Sequence, residues 1–332
     1  MKKYFYTSLF ALCATTFLFT SCTSANCQAQ KETTTPAQTA TKFEIPEVTE
    51  ESQNFYVVND LGRNGYYQQK PIAELLGEMA TKVDIEFVAA LGDTHHFDGV
   101  ASTQDPLWET NYEWIYTHPE LMIDWFAVLG NHEYRGNTQA VIDYTNVSRR
   151  WNMPSRYYAR TVEAGENQSA LLVFIDTAPL IDKYHKESDT YPDASKQSIA
   201  EQLAWIENTL KNSDAKWKIV MGHHPVFADT KKSDKERLDM QKRVKPLLDK
   251  YNVDAYLCGH IHSFQHIRPE AGKVEYFVNS SGSLARDVKK VEGTQFCSSD
   301  AGFMLVSMED DKLNFFMING DGKIIYNYSK EK

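Results

Sequence analysis

Five short segments of the chain carry side chains suited to binding a cation. They are Asp60-Leu61-Gly62, Gly92-Asp93-Thr94-His95-His96, Gly130-Asn131-His132-Glu133, Gly222-His223-His224 and Gly259-His260-Ile261-His262. Any one of them alone is ordinary, since an Asp after a strand is commonly a turn residue and a single loop His is commonly solvated or packed. Together they offer carboxylate oxygens, an amide oxygen and several imidazoles, a donor set that suits iron, zinc or manganese. This is more than one tetrahedral ion takes, and the count fits two ions sharing a carboxylate. Two metals about 3.5–4 Å apart are a recurrent arrangement for cleaving phosphoric esters.

For these segments to meet, the elements before them must end side by side. Asn54-Phe55-Tyr56-Val57-Val58 reads as a strand, Ile72, Leu75, Leu76 and Met79 recur at helical spacing, and Phe87 to Leu91 reads as a second strand. Such a βαβ unit makes its two strands parallel. Further strands are expected at 125–129, 170–175, 218–221, 255–258 and 276–278. Ile199, Leu203, Ile206 and Leu210 mark one amphipathic helix, and Leu238, Val244, Leu248 and Tyr251 suggest another. The tail, 303–328, reads as two or three antiparallel strands turning at Asp310-Asp311 and Gly320-Asp321-Gly322. In open α/β sheets ligands sit beyond the carboxyl ends of the strands, so the five segments should face one crevice. No linker divides residues 52–328, so one α/β domain is expected.

Composition is that of a globular protein: 332 residues, 42% hydrophobic and 24% charged. The formal charge of −10 argues against a chain whose main task is gripping nucleic acid or anionic lipid. Five Cys without a CxxC pair exclude both a disulfide scaffold and a Cys-rich zinc module. Lys2 and Lys3 precede an apolar stretch from Phe5 to Phe19, the layout of an export signal, and Leu18-Phe19-Thr20-Ser21-Cys22 looks like a relaxed bacterial lipobox. The expected organisation is a lipoprotein signal peptide at 1–21, a flexible tether at 22–51 anchored to the membrane through lipid on Cys22, and a catalytic domain at 52–332. The expected location is the periplasm or the outer-membrane surface. Of the remaining cysteines, Cys258 is expected as a buried small hydrophobe, with a bridge to Cys297 as the alternative.

The ordered set D-x-G, G-D, G-N-H-[D/E], G-H and G-H-x-H resembles the calcineurin-like metallophosphoesterases, and within them the small purple acid phosphatases that include tartrate-resistant acid phosphatase. Gly136-Asn137 and the run from Arg150 to Tyr158 are similar to that group's loop after the G-N-H motif, and the resemblance spans roughly residues 54–285. It implies a four-layer α/β/β/α sandwich of two mixed sheets flanked by helices. It also implies two divalent or trivalent ions of Fe, Zn or Mn. Asp60, Asp93 and His262 would hold the first ion and Asn131, His223 and His260 the second, with Asp93 shared and His132 as proton donor to the leaving alcohol. Glu133 would orient His132 or stand as an exposed acid, and His224 would touch substrate or pack. The purple enzymes place a Tyr three residues after the second motif's Asp, where this chain has His96. His96 is expected to fill that ligand position, with His95 as the rival, and the change leaves metal identity open.

The resemblance implies a hydroxide shared by the two metals as nucleophile, with Asn131, His223 and His132 serving the reaction and a small phosphorylated molecule as substrate. A phosphomonoesterase is the first reading and a phosphodiesterase or nucleotidase the second. A non-catalytic surface protein retaining the fold is the alternative from another class. Loops at 94–118 and 226–236, with Trp108, Tyr112, Trp114 and Lys231-Lys232, are expected to shape substrate entry.

Overall fold

The computed structural model describes residues 43–232, 234–269 and 272–332. In chain order the elements are β1 (Gln53–Val58), α1 (Gln69–Ala80), β2 (Phe87–Ala90), β3 (Asp124–Ala127), α2 (Thr138–Asp143), β4 (Trp151–Asn152), β5 (Tyr158–Ala164), β6 (Gln168–Phe174), α3 (Asp182–Lys186), α4 (Ile199–Lys211), β7 (Trp217–Met221), α5 (Asp234–Arg243), α6 (Lys245–Lys250), β8 (Ala255–Cys258), β9 (Phe264–Ile267), β10 (Glu275–Val278), β11 (Thr294–Ser298), β12 (Gly302–Met308), β13 (Lys312–Asn319) and β14 (Ile324–Glu331). They form two mixed seven-stranded sheets flanked by helices, ordered β14-β13-β12-β1-β2-β3-β4 and β11-β9-β10-β8-β7-β6-β5.

The parallel strands are near-continuous apolar runs, as strands covered on both faces must be. β1, β2 and β3 pair in parallel with Val58 opposite Ala90 and Ala90 opposite Ala127, so their carboxyl ends lie level. In the second sheet β7 and β8 are parallel with Met221 opposite Leu257. Aromatic contacts join the sheets: Phe277 of β10 stacks on Phe315 of β13 at 4.4 Å, and Phe126 of β3 meets Phe174 of β6 at 6.0 Å. α1 buries Ile72, Leu75, Leu76 and Met79, as its spacing predicts. α4 starts at Ser198, whose side chain accepts the Glu201 N–H, and buries Ile206 and Leu210.

Several expectations are corrected. The helix expected from Leu238 to Tyr251 is two helices, α5 and α6, and Pro246 lies in the first turn of the second. Leu238 is exposed, while Met240 takes the buried position. Trp108 and Tyr112 do not line an entrance. Trp108 stacks on Tyr144 at 3.5 Å and Tyr112 packs edge-on to Trp125, with Arg150 over its ring, and only Trp114 of that trio faces solvent. Cys258 is buried and unpaired, and Cys297 is also unpaired.

Phe43 to Glu51, assigned to the tether from composition, packs on the domain. Phe43 and Val48 lie against the core, and Glu44 exchanges hydrogen bonds with Gly322 O and Ile324 N. The leader, the Cys22 anchor and the earlier part of the tether lie outside the described residues. No helix among the described residues is long and apolar enough to cross a membrane.

Candidate metal centre

The level strand ends bring the five segments together, and the backbone is bent sharply to do it. Asp60, Asp93, His260 and His262 all have positive φ, between 52° and 70°, a region costing a non-glycine residue of order 1 kcal/mol or more. Glycine makes the close approaches possible. A Cβ on Gly130 would lie 2.2 Å from Asp93 Oδ1, and one on Gly92, itself at φ +85°, would lie 2.7 Å from His223 Nδ1. Hydrogen bonds across the two sheets hold the segments. His260 N–H donates to Asp60 Oδ2 at 2.8 Å, Ser281 and Ser283 hydroxyls donate to Asp60 O, and Asn279 Nδ2 donates to Val57 O and Asn59 Oδ1.

Asp60, Asp93, His96, Asn131, His223, His260 and His262 are all buried. Four sets of candidate ligand atoms lie within 4.8 Å of one another: Asp60, His96 and His262; Asp93, His96 and His132; Asp60, Asp93 and His223; and His223, His224 and His260. Asp60, Asp93 and His96 each belong to two of them, so the sets overlap on both carboxylates.

The donor set fits metal ions on the structure's own terms. His262 Nδ1 donates to Leu284 O at 2.7 Å, so in the neutral ring Nε2 carries a lone pair, and that lone pair faces Asp60 Oδ1 at 2.9 Å. His223 repeats the pattern: Nδ1 donates to Leu91 O at 2.8 Å and Nε2 faces Asp93 Oδ2 at 3.1 Å. Two acceptors facing each other at that distance need a proton or a metal between them. Without a metal the proton takes the place: burial opposes it, but the Asp93 carboxylate outweighs burial and raises His223 to about 9. Burial also works against charge on Asp60 and Asp93, yet His262 holds the first below its ordinary value and His223 the second. Asn131 Oδ1 and both nitrogens of His96 are buried with no hydrogen-bond partner, as unfilled ligand positions would be. His260 Nε2 lies 3.0 Å from Glu236 Oε2, while Nδ1 lies 3.1 Å from His223 Nε2 and 3.3 Å from Lys232 Nζ, and burial, and then the charge of Lys232, push its pKa down to about 3.

The rival histidine lies apart. His95 packs edge-on to Trp108 at 4.5 Å, its Nδ1 lies 3.4 Å from Asn111 Nδ2, and it joins none of the ligand groups. His224 lies beside His223 and His260, but its Nδ1 meets Thr177 Oγ1 at 2.7 Å and its Nε2 meets Tyr184 Oη at 2.8 Å. Its nitrogens are occupied and it is fully buried, so it packs.

His132 is the more exposed member of the cluster. Its Nδ1 donates to Phe97 O, which turns Nε2 toward Asp93 Oδ2 at 3.8 Å. Glu133 neither orients that imidazole nor stands in solvent. Its buried carboxylate accepts backbone N–H groups from Asp93 at 2.8 Å, Gly130 at 2.7 Å and His95 at 3.1 Å, tying two ligand loops to each other. Burial, and then the charge of Asp93, push its pKa up to about 7.

The sequence reading missed Glu236, Asn59, Ser281 and Ser283. Glu236 lies in the charged run of α5, where nothing marks one acid as buried. The serines support a ligand through its backbone carbonyl, which leaves no pattern in side-chain spacing.

A domain of two mixed sheets with these motifs at level strand ends is that of a calcineurin-like phosphoesterase, and the chain belongs to that family, whose model matches residues 54–264. Within it the chain is similar to purple acid phosphatases. It is 30% identical over 299 residues to purple acid phosphatase 3 of Arabidopsis thaliana, covering 86% of this chain and 79% of that one. It is 31% identical over 216 residues to tartrate-resistant acid phosphatase type 5 of Oryctolagus cuniculus, covering 64% and 66%. Among solved structures, GAP50 of Plasmodium shares the fold with a TM-score of 0.73 at 21% identity, covering 84% of this chain and 89% of that one. The purple acid phosphatase PPD1 of yellow lupin shares it with a TM-score of 0.61 at 14% identity, covering 85% and 54%.

Proposed function

We propose that the chain is a metal-dependent phosphatase acting on small phosphomonoesters. Asp60, Asp93, His96 and His262 would hold one ion and Asn131, His223 and His260 the other, with Asp93 common to both. The observation that carries this reading is the facing of acceptors, His262 Nε2 on Asp60 and His223 Nε2 on Asp93, beside the unpartnered Asn131 Oδ1 and His96 nitrogens. When bound, such ions make water a nucleophile near neutral pH and offset phosphoryl charge.

The chain's own residues supply the rest. Carbonyl partners fix the His223 and His262 tautomers, so each presents Nε2 without rearrangement. His132 anchors Nδ1–H on Phe97 O, so Nε2 can hand a proton to the departing alkoxide, as the P–O bond breaks, from the doubly protonated ring, a form that burial disfavours and the Asp93 carboxylate favours. Asn131 and His223 bring the second half of the site to the same phosphoryl group. The products are inorganic phosphate and the alcohol.

The test is hydrolysis of p-nitrophenyl phosphate and of bis-p-nitrophenyl phosphate, with and without chelator. Chelator-sensitive cleavage of the monoester, lowered by His132→Ala while metal content stays, supports the reading. Metal-replete protein inert on both substrates sinks it, and preference for the diester replaces it with a phosphodiesterase. For location, we propose export and lipid anchoring through Cys22, which supplies the membrane attachment and leaves the domain on its tether.

A further inference from the structure

One buried acid stands behind the metal cluster without belonging to it. Glu236, in the first turn of α5, is 5% exposed and joins none of the ligand groups, yet both of its carboxylate oxygens have hydrogen-bond partners. Oε2 lies 3.0 Å from His260 Nε2. Oε1 accepts from Lys183 Nζ at 2.9 Å and from the Tyr184 hydroxyl at 3.1 Å, and both of these residues come from α3. Lys183 supplies the countercharge to the buried carboxylate. A carboxylate only accepts, so the Tyr184 proton goes to Glu236 and His224 Nε2 must donate to Tyr184 Oη at 2.8 Å. In the neutral ring His224 Nδ1 then accepts from Thr177 Oγ1 at 2.7 Å. The donors thus run in one direction, from Thr177 through His224 and Tyr184 to Glu236.

The same rule settles His260. Facing a carboxylate, Nε2 is the nitrogen that carries hydrogen, and Nδ1 of the neutral ring keeps the lone pair. Nδ1 is also the nitrogen on the side of the cluster, 3.1 Å from His223 Nε2. Lys232 does not contest this arrangement. Its Nζ lies 2.9 Å from Nε2 and 3.3 Å from Nδ1, too even a pair of distances for it to sit on the axis of either nitrogen, and it donates to His260 O at 3.0 Å.

We propose that Glu236 is the positioning residue for the second ion: it locks His260 in the tautomer that presents Nδ1, makes that imidazole a more basic ligand, and so sets how tightly the ion is held. This rests on the two-ion reading of the cluster. Glu236 acts only through His260, while Lys183, Tyr184 and the chain behind them hold its carboxylate in place.

Zinc titrated calorimetrically into the chelator-stripped full chain tests this apart from catalysis. His260→Ala identifies the binding event that belongs to the second ion. Glu236→Ala should weaken that same event about 10–100-fold and leave the other unchanged. Glu236→Gln, which keeps the shape of the side chain and one acceptor oxygen, should fall between Glu236→Ala and the wild type. Lys183→Ala cuts the same tie between α3 and α5 and should leave zinc uptake as it is, and Glu236→Ala added to His260→Ala should weaken the second event no further. Second-ion uptake at the wild-type level in Glu236→Gln overturns the proposal. Equal weakening in Lys183→Ala also overturns it, since Glu236 would then only tie two helices together. A wild type that takes up neither zinc nor manganese ends the two-ion reading and this proposal with it, whereas two ions bound with an indifferent Glu236 remove this proposal alone.

Discussion

Replacing Glu133 tests how the site is built. Its buried carboxylate accepts three backbone N–H groups, at 2.8 Å from Asp93, 2.7 Å from Gly130 and 3.1 Å from His95. Hydrogen bonds to a charged group contribute about 1.5–3 kcal/mol each. Against that stands the cost of burying an ionised carboxylate, and of holding it beside Asp93, visible in a pKa pushed from 4.5 to about 7. Glu133→Ala removes both, strands three N–H groups and opens a cavity, for a net loss of about 3 kcal/mol. That corresponds to a fall of about 6–9 °C in Tm at the slope typical of a domain this size. Glu133→Gln has the same shape but one acceptor oxygen, and its amide N–H faces a backbone donor. It should lose about half as much. Because the three N–H groups flank Asp93 and Asn131, metal content should fall with stability, and kcat should fall more than KM rises. Calorimetry and metal analysis on the two variants check this. Glu133→Ala with wild-type Tm and metal content would refute the reasoning.

Asp176 accepts the Tyr134 hydroxyl, has one buried oxygen without a partner, and is pushed by burial from 3.8 to about 7. Folding therefore favours its protonated form: its contribution to stability should fall by up to about 4 kcal/mol as pH rises from 4 to 7, and Asp176→Asn should remove that contribution, read as a difference between wild-type and variant denaturant melts that changes with pH. His96→Ala should lower metal content, whereas His95→Ala should keep it and lose about 1–3 kcal/mol of stability through its packing on Trp108; atomic spectroscopy separates the two. Cys22→Ser should abolish incorporation of labelled fatty acid and release the protein from the membrane fraction, and retained label would end the anchor proposal.

The parallel strands were legible because strands covered on both faces are continuous apolar runs, and Val57-Val58, Phe87 to Leu91 and Lys218 to Met221 each end at a polar turn. The motif order then placed Asp60, Asp93, Asn131, His223, His260 and His262 at one crevice. What escaped had no local signal. β5 is an edge strand with residues exposed along its middle, β9 and β11 pair with an irregular register, and β4 is only two residues long. Glu133 looked like a loop acid because sequence cannot show which backbone donors surround a side chain. Leu238 and Met240 exchanged places for a similar reason, since α5 has a weak apolar stripe and packing decides which residue turns inward.

The central claim is that this acidic and imidazole cluster holds two ions that make the chain a phosphatase. Metal stoichiometry of the purified protein, measured alongside p-nitrophenyl phosphate hydrolysis before chelation, after it and after metal is restored, tests that claim most directly. The account predicts about two ions per chain, activity lost with them and regained with them. Undiminished hydrolysis in metal-free protein, or a fully loaded protein that cleaves neither mono- nor diester, would contradict it.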